Sequence, residues 1–266
     1  REYLQMGQFH LQQHQHHVDL PQSPYFLIFL CYYKDYQIEL FLFSSSIFAD
    51  PVPDFIEALN SAPVATSTPA NDPDGWLLAH VDAETTGLVP GYHEMIDVGI
   101  IMTDLEGNEL DRLFLRIMPN HPDRAQPGAV AVNGFSVGRW NELGFNTQMQ
   151  AVSKLVDFHD RVARNKHVLF VGYNAWFDIS FIDHLFRDQG SSWRALYHYF
   201  ILDLPSMAWS LGIKDLAGQE MASKLGIEQE TTNPLEHTGI TGAESNVGVY
   251  RALLRIKDEN SNLGKM

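Results

Sequence analysis

The stretch that most constrains this chain runs from Trp76 to Leu88, WLLAHVDAETTGL. Leu77, Leu78, Ala79 and Val81 make an apolar run with the length and composition of a buried strand. The run breaks into the small-residue turn Thr85-Thr86-Gly87, and Asp82 and Glu84 sit where the strand ends. Side chains at i and i+2 of a strand share a face, so both acids address one point. Two like charges at the end of an apolar strand are costly unless something positive answers them. Hard divalent cations such as Mg2+ or Mn2+ take oxygen ligands of this kind. Taken alone, the pair reads equally well as a polar strand end leading into a solvated turn.

Two later stretches change that balance. In VLFVGYNAWFDISFIDHLF, Val168 to Phe186, the apolar run Val168–Val171 predicts a strand, and Asn174 leads into a helix. Phe177, Phe181, Ile182 and Leu185 mark its apolar side, and Asp178 lies in its first turn. In NPLEHTGITGAESNVGVYRALL, Asn233 to Leu254, His237 falls in a loop just ahead of a helix marked by Val247, Tyr250, Leu253 and Leu254. A lone histidine in such a loop is usually a surface residue; company with the other two stretches gives it weight.

Together the three stretches, over about residues 76 to 257, resemble the exonuclease superfamily that carries the DEDD acids and a catalytic histidine. That superfamily includes ribonuclease T, oligoribonuclease and polymerase proofreading subunits. Asp82 and Glu84 match its D-x-E-T-T-G-L motif, Asn174-Ala-Trp-Phe177-Asp178 its N-x-x-F-D motif, and His237 the histidine of H-x-A-x-x-D-A. The resemblance implies an α/β fold, a ribonuclease H-like mixed β-sheet flanked by α-helices. It also implies two Mg2+ or Mn2+ ions, with Asp82 bridging them, Glu84 holding one and Asp178 the other. His237 would take a proton from the attacking water, a task suited to an imidazole near neutrality. Thr85, Thr86, Gly87, Leu88 and Asn174 would bind substrate, the single-stranded 3′ end of RNA or DNA, with release of nucleoside 5′-monophosphates. A homodimer is implied by the resemblance alone. Pro127–Gly134 resembles the segment beside the substrate 3′ end, where Asn133 and Phe135 would touch the terminal nucleotide, and reads equally as a plain loop or helix cap.

One residue departs from the pattern. The third motif calls for Asp five residues after His237, and Gly242 stands there, followed by the expected Ala243. Glycine supplies no ligand. Glu244 is roughly 200° further around a helix of about 3.6 residues per turn, so it is expected to point away, and Asn246 shares the face a turn on. A shifted helix start would bring Glu244 or Glu236 into range. Two readings follow, an active exonuclease with a variant third motif and an impaired module that binds nucleic-acid ends or a protein.

The remaining sequence sets bounds. A chain of 266 residues, 45% hydrophobic, holds one sizeable α/β domain plus extensions. A net charge of −15 argues against gripping long nucleic acid on a general basic surface, but not against a short substrate held at its end by metal. The single Cys31 excludes an internal disulfide and fits a reducing compartment, the cytoplasm. Residues 1–75 are expected to be a poorly structured extension and linker, 76–257 the exonuclease domain and 258–266 a tail. The extension holds a polar segment with His10, His14, His16 and His17, then an apolar run from Tyr25 to Tyr33, shorter than the roughly 20 residues a membrane span needs. No signal peptide and no membrane anchor are expected, and a start at Arg1 suits a fragment or processed chain. Within the domain, His93–Asp104 and Leu113–Ile117 predict two more strands, with Glu94 and Asp97 facing solvent or paired with basic groups. Thr147–Asn165 predicts an amphipathic helix on Met149, Val152, Leu155, Val156 and Val162. An aromatic cluster follows at Trp193–Phe200, then a short strand ending at Asp203, read as structural or as support for the site, and a helix over Asp215–Leu225.

Overall fold

The computed structural model describes residues 31–34, 37–40 and 67–263. The chain divides into two units, Arg1–Asp50 and Pro51–Met266. In the first, β1 (Cys31–Lys34) and β2 (Gln37–Leu40) pair antiparallel, with Cys31 opposite Leu40. The histidine-rich start and the linker up to residue 66 lie outside the described residues.

The second unit is built on a five-stranded sheet. Its strands are β3 (Trp76–Thr85), β4 (Met95–Thr103), β5 (Glu109–Arg116), β6 (His167–Gly172) and β7 (Ile201–Asp203), in the order β5-β4-β3-β6-β7. β3, β4 and β5 form an antiparallel meander, while β6 and β7 run parallel to β3. The sheet is therefore mixed, as the resemblance implies. β3 is central, and every residue in it except Asp82 is buried.

Alternation along β3 sorts its side chains between two layers. Leu77, Ala79, Val81 and Ala83 enter the larger core with α3 (Gln148–Ala163) and α4 (Ala175–Asp188). Trp76 and Leu78 enter a second core with α5 (Leu204–Ser210) and α7 (Gly239–Leu263). His80, Asp82 and Glu84 share the parity of Leu78, so the two acids face α7. Three short helices complete the unit, α1 (Pro127–Asn133), α2 (Val137–Leu143) and α6 (Gly218–Leu225).

Helix α3 starts as its sequence directs, with Thr147 and Gln150 exchanging hydrogen bonds in a capping box. Its buried stripe, however, is Gln148, Ala151, Leu155, Phe158, His159 and Ala163, and Met149 is 70% exposed. Val152, Val156 and Val162 pack against the same core as Leu155, so the expected inner face holds except at Met149, where Gln148 takes the inward place and its Nε2 donates to Glu94 Oε1 at 2.7 Å. Phe135 also differs from expectation. It is buried against Trp140 and Ile96, so it braces the α1–α2 corner. In the aromatic cluster Tyr197 is core, whereas Tyr199 and Phe200 are exposed.

Candidate active site

The site is built where β3 runs out. Asp82 lies opposite Gly99 in the β3–β4 ladder and Glu84 opposite Asp97, and a bulge falls between Glu84 and Thr85. Bulges bend a strand and re-aim its side chains, and here the bend turns the chain into the Thr85–Leu88 segment. Over this face the start of α7 descends to backbone contact. A Cβ on Gly99 would come well inside 3.0 Å of the Gly239 and Ile240 backbone, and one on Gly239 would do so against Asp82 O and Gly99 N. A Cβ on Gly242 would meet the Asp82 side chain at the same forbidden range. Three glycines thus form a seam that seats α7 directly on the acid-bearing strand.

Asp178 reaches the site from the other layer. Asn174 takes the left-handed conformation (φ 60°, ψ 47°) that a short polar side chain tolerates, which turns β6 sharply into α4. Asp203 Oδ1 accepts from Ala175 N at 3.1 Å and fixes that turn from β7, so Asp203 is structural. Asp178, one turn into α4 and 3% exposed, accepts from Ala83 N at 3.0 Å and lies against the middle of the acidic segment.

His237 arrives on the loop ahead of α7. Its Nε2 is 2.9 Å from Glu84 Oε1 and its Nδ1 2.9 Å from the Thr231 carbonyl, with Glu230 Oε1 further off at 3.5 Å. The loop is bracketed by Arg139, whose guanidinium donates to the carbonyls of Asn133, Gly134, Pro234 and Leu235 at 2.7–3.3 Å. It is also held by Asp97 Oδ1, which accepts from Gly239 N at 2.9 Å. Asn133 Nδ2 donates to Glu84 Oε2 at 3.2 Å and to Thr85 O at 3.0 Å, so Asn133 positions the acidic strand.

Electrostatics show what the cluster lacks. Burial, then the charges of Asp178, Glu84, Glu230 and Asp97, push the Asp82 carboxyl well above its ordinary range. Burial likewise raises Asp178, against the opposing pull of its hydrogen bond from Ala83. The hydrogen bond that His237 Nε2 donates to the Glu84 carboxylate is the main reason the imidazole is raised to about 9. No hydrogen-bond donor among the described residues meets the Asp82 carboxylate. An uncompensated carboxylate beside others suits a hard cation with oxygen ligands, so the donor set fits a divalent metal. Among the described residues no three ligating groups already converge in one cage; Glu84 is drawn to His237 instead.

Of the residues singled out in sequence, Asp82, Glu84, Asp178 and His237 come together. Asp82, His237 and Gly242 line a cavity of about 370 Å3, shared with Tyr173, Glu230 and Asn246. Thr85, Thr86, Gly87, Leu88 and Asn174 do not line it. The hydroxyl of Thr85 donates to Gly87 O and that of Thr86 accepts from Glu94 N, Leu88 is 71% exposed, and Asn174 Oδ1 accepts from the Trp176 indole. Two acids expected at the surface are not free. Asp97 is fully buried, because the start of α7 needs an acceptor there and Gly99 leaves it room. Glu94 accepts from the backbone N–H groups of Asn120 and His121, tying down the chain after β5. Sequence reasoning missed Glu230 and Arg139 altogether. Asp97 did leave a signal, a carboxylate between the apolar residues Ile96 and Val98, opposite Glu84.

A mixed sheet with a carboxylate–imidazole cluster on its central strand is the ribonuclease H-like arrangement of an exonuclease. No family model matches the chain. In sequence it is similar to the 3′-5′ DNA exonuclease Cap18 of Escherichia coli, 29% identical over 147 residues, which cover 54% of this chain and 68% of that protein. In fold it is similar to E. coli exonuclease I in complex with a dT13 oligonucleotide (TM-score 0.56, 15% identity, 71% of this chain, 42% of that one). The zinc-ion-bound form of that exonuclease with single-stranded DNA gives a TM-score of 0.54 at 17% identity, over 69% of this chain and 42% of the other. The chain thus spans less than half the length of exonuclease I. It resembles the DEDDh-type 3′-5′ exonucleases in sequence and in fold, and these likenesses support a nuclease.

Proposed function

We propose that the chain is a metal-dependent 3′-5′ exonuclease that acts on single-stranded DNA ends and releases nucleoside 5′-monophosphates. One observation carries the reading: His237, from the third motif, meets Glu84, from the first, at 2.9 Å, beside Asp82 and the Asp178–Ala83 contact. Three segments far apart in sequence supply the residue types that phosphodiester hydrolysis needs. DNA is preferred over RNA because the sequence relative is named a DNA exonuclease and the fold neighbours hold DNA oligonucleotides.

Asp82, Glu84 and Asp178 would hold the divalent ions, which supply an activated water and charge stabilisation for the leaving 3′ oxygen. The chain's own residues do the rest. His237 Nδ1 donates to the Thr231 carbonyl, which fixes the tautomer and leaves Nε2 to move the proton. While Nε2 stays paired with Glu84 the imidazole keeps its proton to about pH 9, so it becomes a base only when Glu84 is otherwise engaged. The cavity beside Asp82, walled by Val132 and Tyr173, would receive the terminal nucleotide.

The test is cleavage of 5′-labelled single-stranded DNA and RNA with Mg2+ or Mn2+. A ladder shortening from the 3′ end, absent in Asp82→Ala and slowed about 10²–10⁴-fold in His237→Ala, is the expected result. No cleavage under any of these conditions would sink the proposal.

A further inference from the structure

We propose that Glu230 supplies to the metal-binding cluster the carboxylate that position 242 lacks. The inference rests on the exonuclease reading and concerns how this chain completes its site. The acids nearest Gly242 in sequence are spoken for. Glu244 is on the outer face of α7, paired with Arg112, and Glu236 is exposed, with Oε2 3.3 Å from the Thr231 hydroxyl. Asn246 donates its amide to Val81 O at 2.9 Å. An acid at 242 itself is opposed by the seam, since its Cβ would fall on the Asp82 side chain.

Glu230 comes from outside that seam, on the loop between α6 and α7. It lines the same cavity as Asp82, His237 and Gly242, and its side chain is only 25% exposed. Its Oε1 lies 2.9 Å from the hydroxyl of Thr241, so the carboxylate is held against the first turn of α7, the turn that carries Gly242. Among the described residues the Glu230 carboxylate is met by the Thr241 hydroxyl and, at 3.5 Å, by His237 Nδ1, both at Oε1. A role confined to orienting His237 fits less well. Nδ1 already has its partner in the Thr231 carbonyl at 2.9 Å, and Glu230 at 3.5 Å is beyond a good hydrogen bond. A half-buried carboxylate added to a cleft that already holds acids is unfavourable without a cation, and a cation shared with Asp82 offsets it.

Mn2+ binding to the full chain, without substrate, separates the possibilities; the electron paramagnetic resonance signal of free hydrated Mn2+ reads the bound fraction. Glu230→Gln is expected to weaken at least one Mn2+ by about tenfold or more, since even groups that only support a metal ligand cost 10–100-fold. Glu244→Gln should bind as the wild type does. Glu230→Asp, which keeps the charge and shortens the reach, should fall between, and circular dichroism checks that each variant is folded. Unchanged Mn2+ affinity in folded Glu230→Gln would overturn the inference and leave the exonuclease reading intact, all the more if its pH–rate profile moved, the mark of a positioning role. A wild-type chain that binds no Mn2+ would overturn the metal-dependent reading and this inference together.

Discussion

Gly242 is where the sequence departs from its relatives' motif, and restoring the motif is expected to harm the protein. Gly242→Asp puts a Cβ against Asp82; forced overpacking of this kind costs about 1–3 kcal/mol. The variant should unfold at lower urea than the wild type and gain no cleavage rate. Arg139 tests the opposite case, a residue far from the reacting atoms whose loss should reach them. Its guanidinium joins the end of α1 to the His237 loop through four carbonyls. Lysine keeps the charge but lacks the planar fork. Arg139→Lys should therefore keep its fold by circular dichroism while kcat falls by about tenfold or more, and equal kcat in the two proteins would remove the bracket from the account.

Elements differ in how plainly the sequence announces them. β3 was legible because the apolar run Leu77, Leu78, Ala79 and Val81 has the length of a strand buried on both faces, and two carboxylates mark its end. The helix after Asn174 was legible from its apolar side at Phe177, Phe181, Ile182 and Leu185, but the left-handed turn at Asn174 that aims it was not. What could not be read were the contacts between elements. The burial of Gln148 in place of Met149 goes with its bond to Glu94, and the burial of Asp97 depended on an orphan N–H at the start of α7. Glu230 gave no sign, since a Glu in a polar loop looks the same whether it faces a cavity or water. Packing of α7 is testable at Gly99, where a Cβ would strike backbone that cannot swing aside. Gly99→Ala should lift the helix and lose several-fold more activity than stability alone explains, read as kcat at a temperature where both proteins are folded. Helix α3 carries a pH dependence. Burial lowers His159 to about 4 from an ordinary value of 6.5. The unfolded chain then takes up the proton first, so stability is present above pH 6.5 and is lost as pH falls toward 4. By about pH 5 the loss is about 2 kcal/mol. Urea unfolding of His159→Gln should show that much less acid sensitivity than the wild type.

For the whole molecule, charge decides how substrate can be held. With a net charge of −15, few phosphates can be neutralised by lysine and arginine, so binding should depend weakly on salt. A log–log slope for single-stranded DNA of about −1 to −2, against the steeper slopes of proteins that contact many phosphates, is the expected value in steady-state titrations with NaCl. A slope steeper than about −5 would mean an extended basic track. Among the described residues no helix is long and apolar enough to cross a membrane. The glycine seam, finally, bears on descent. A helix settled this closely on its acidic strand makes an aspartate at 242 hard to acquire. A single substitution there meets the Asp82 side chain, and Asp82 or the helix must shift before an acid fits. Drift at Glu230 is constrained in turn, so the two positions are expected to change together in the sequences of close relatives.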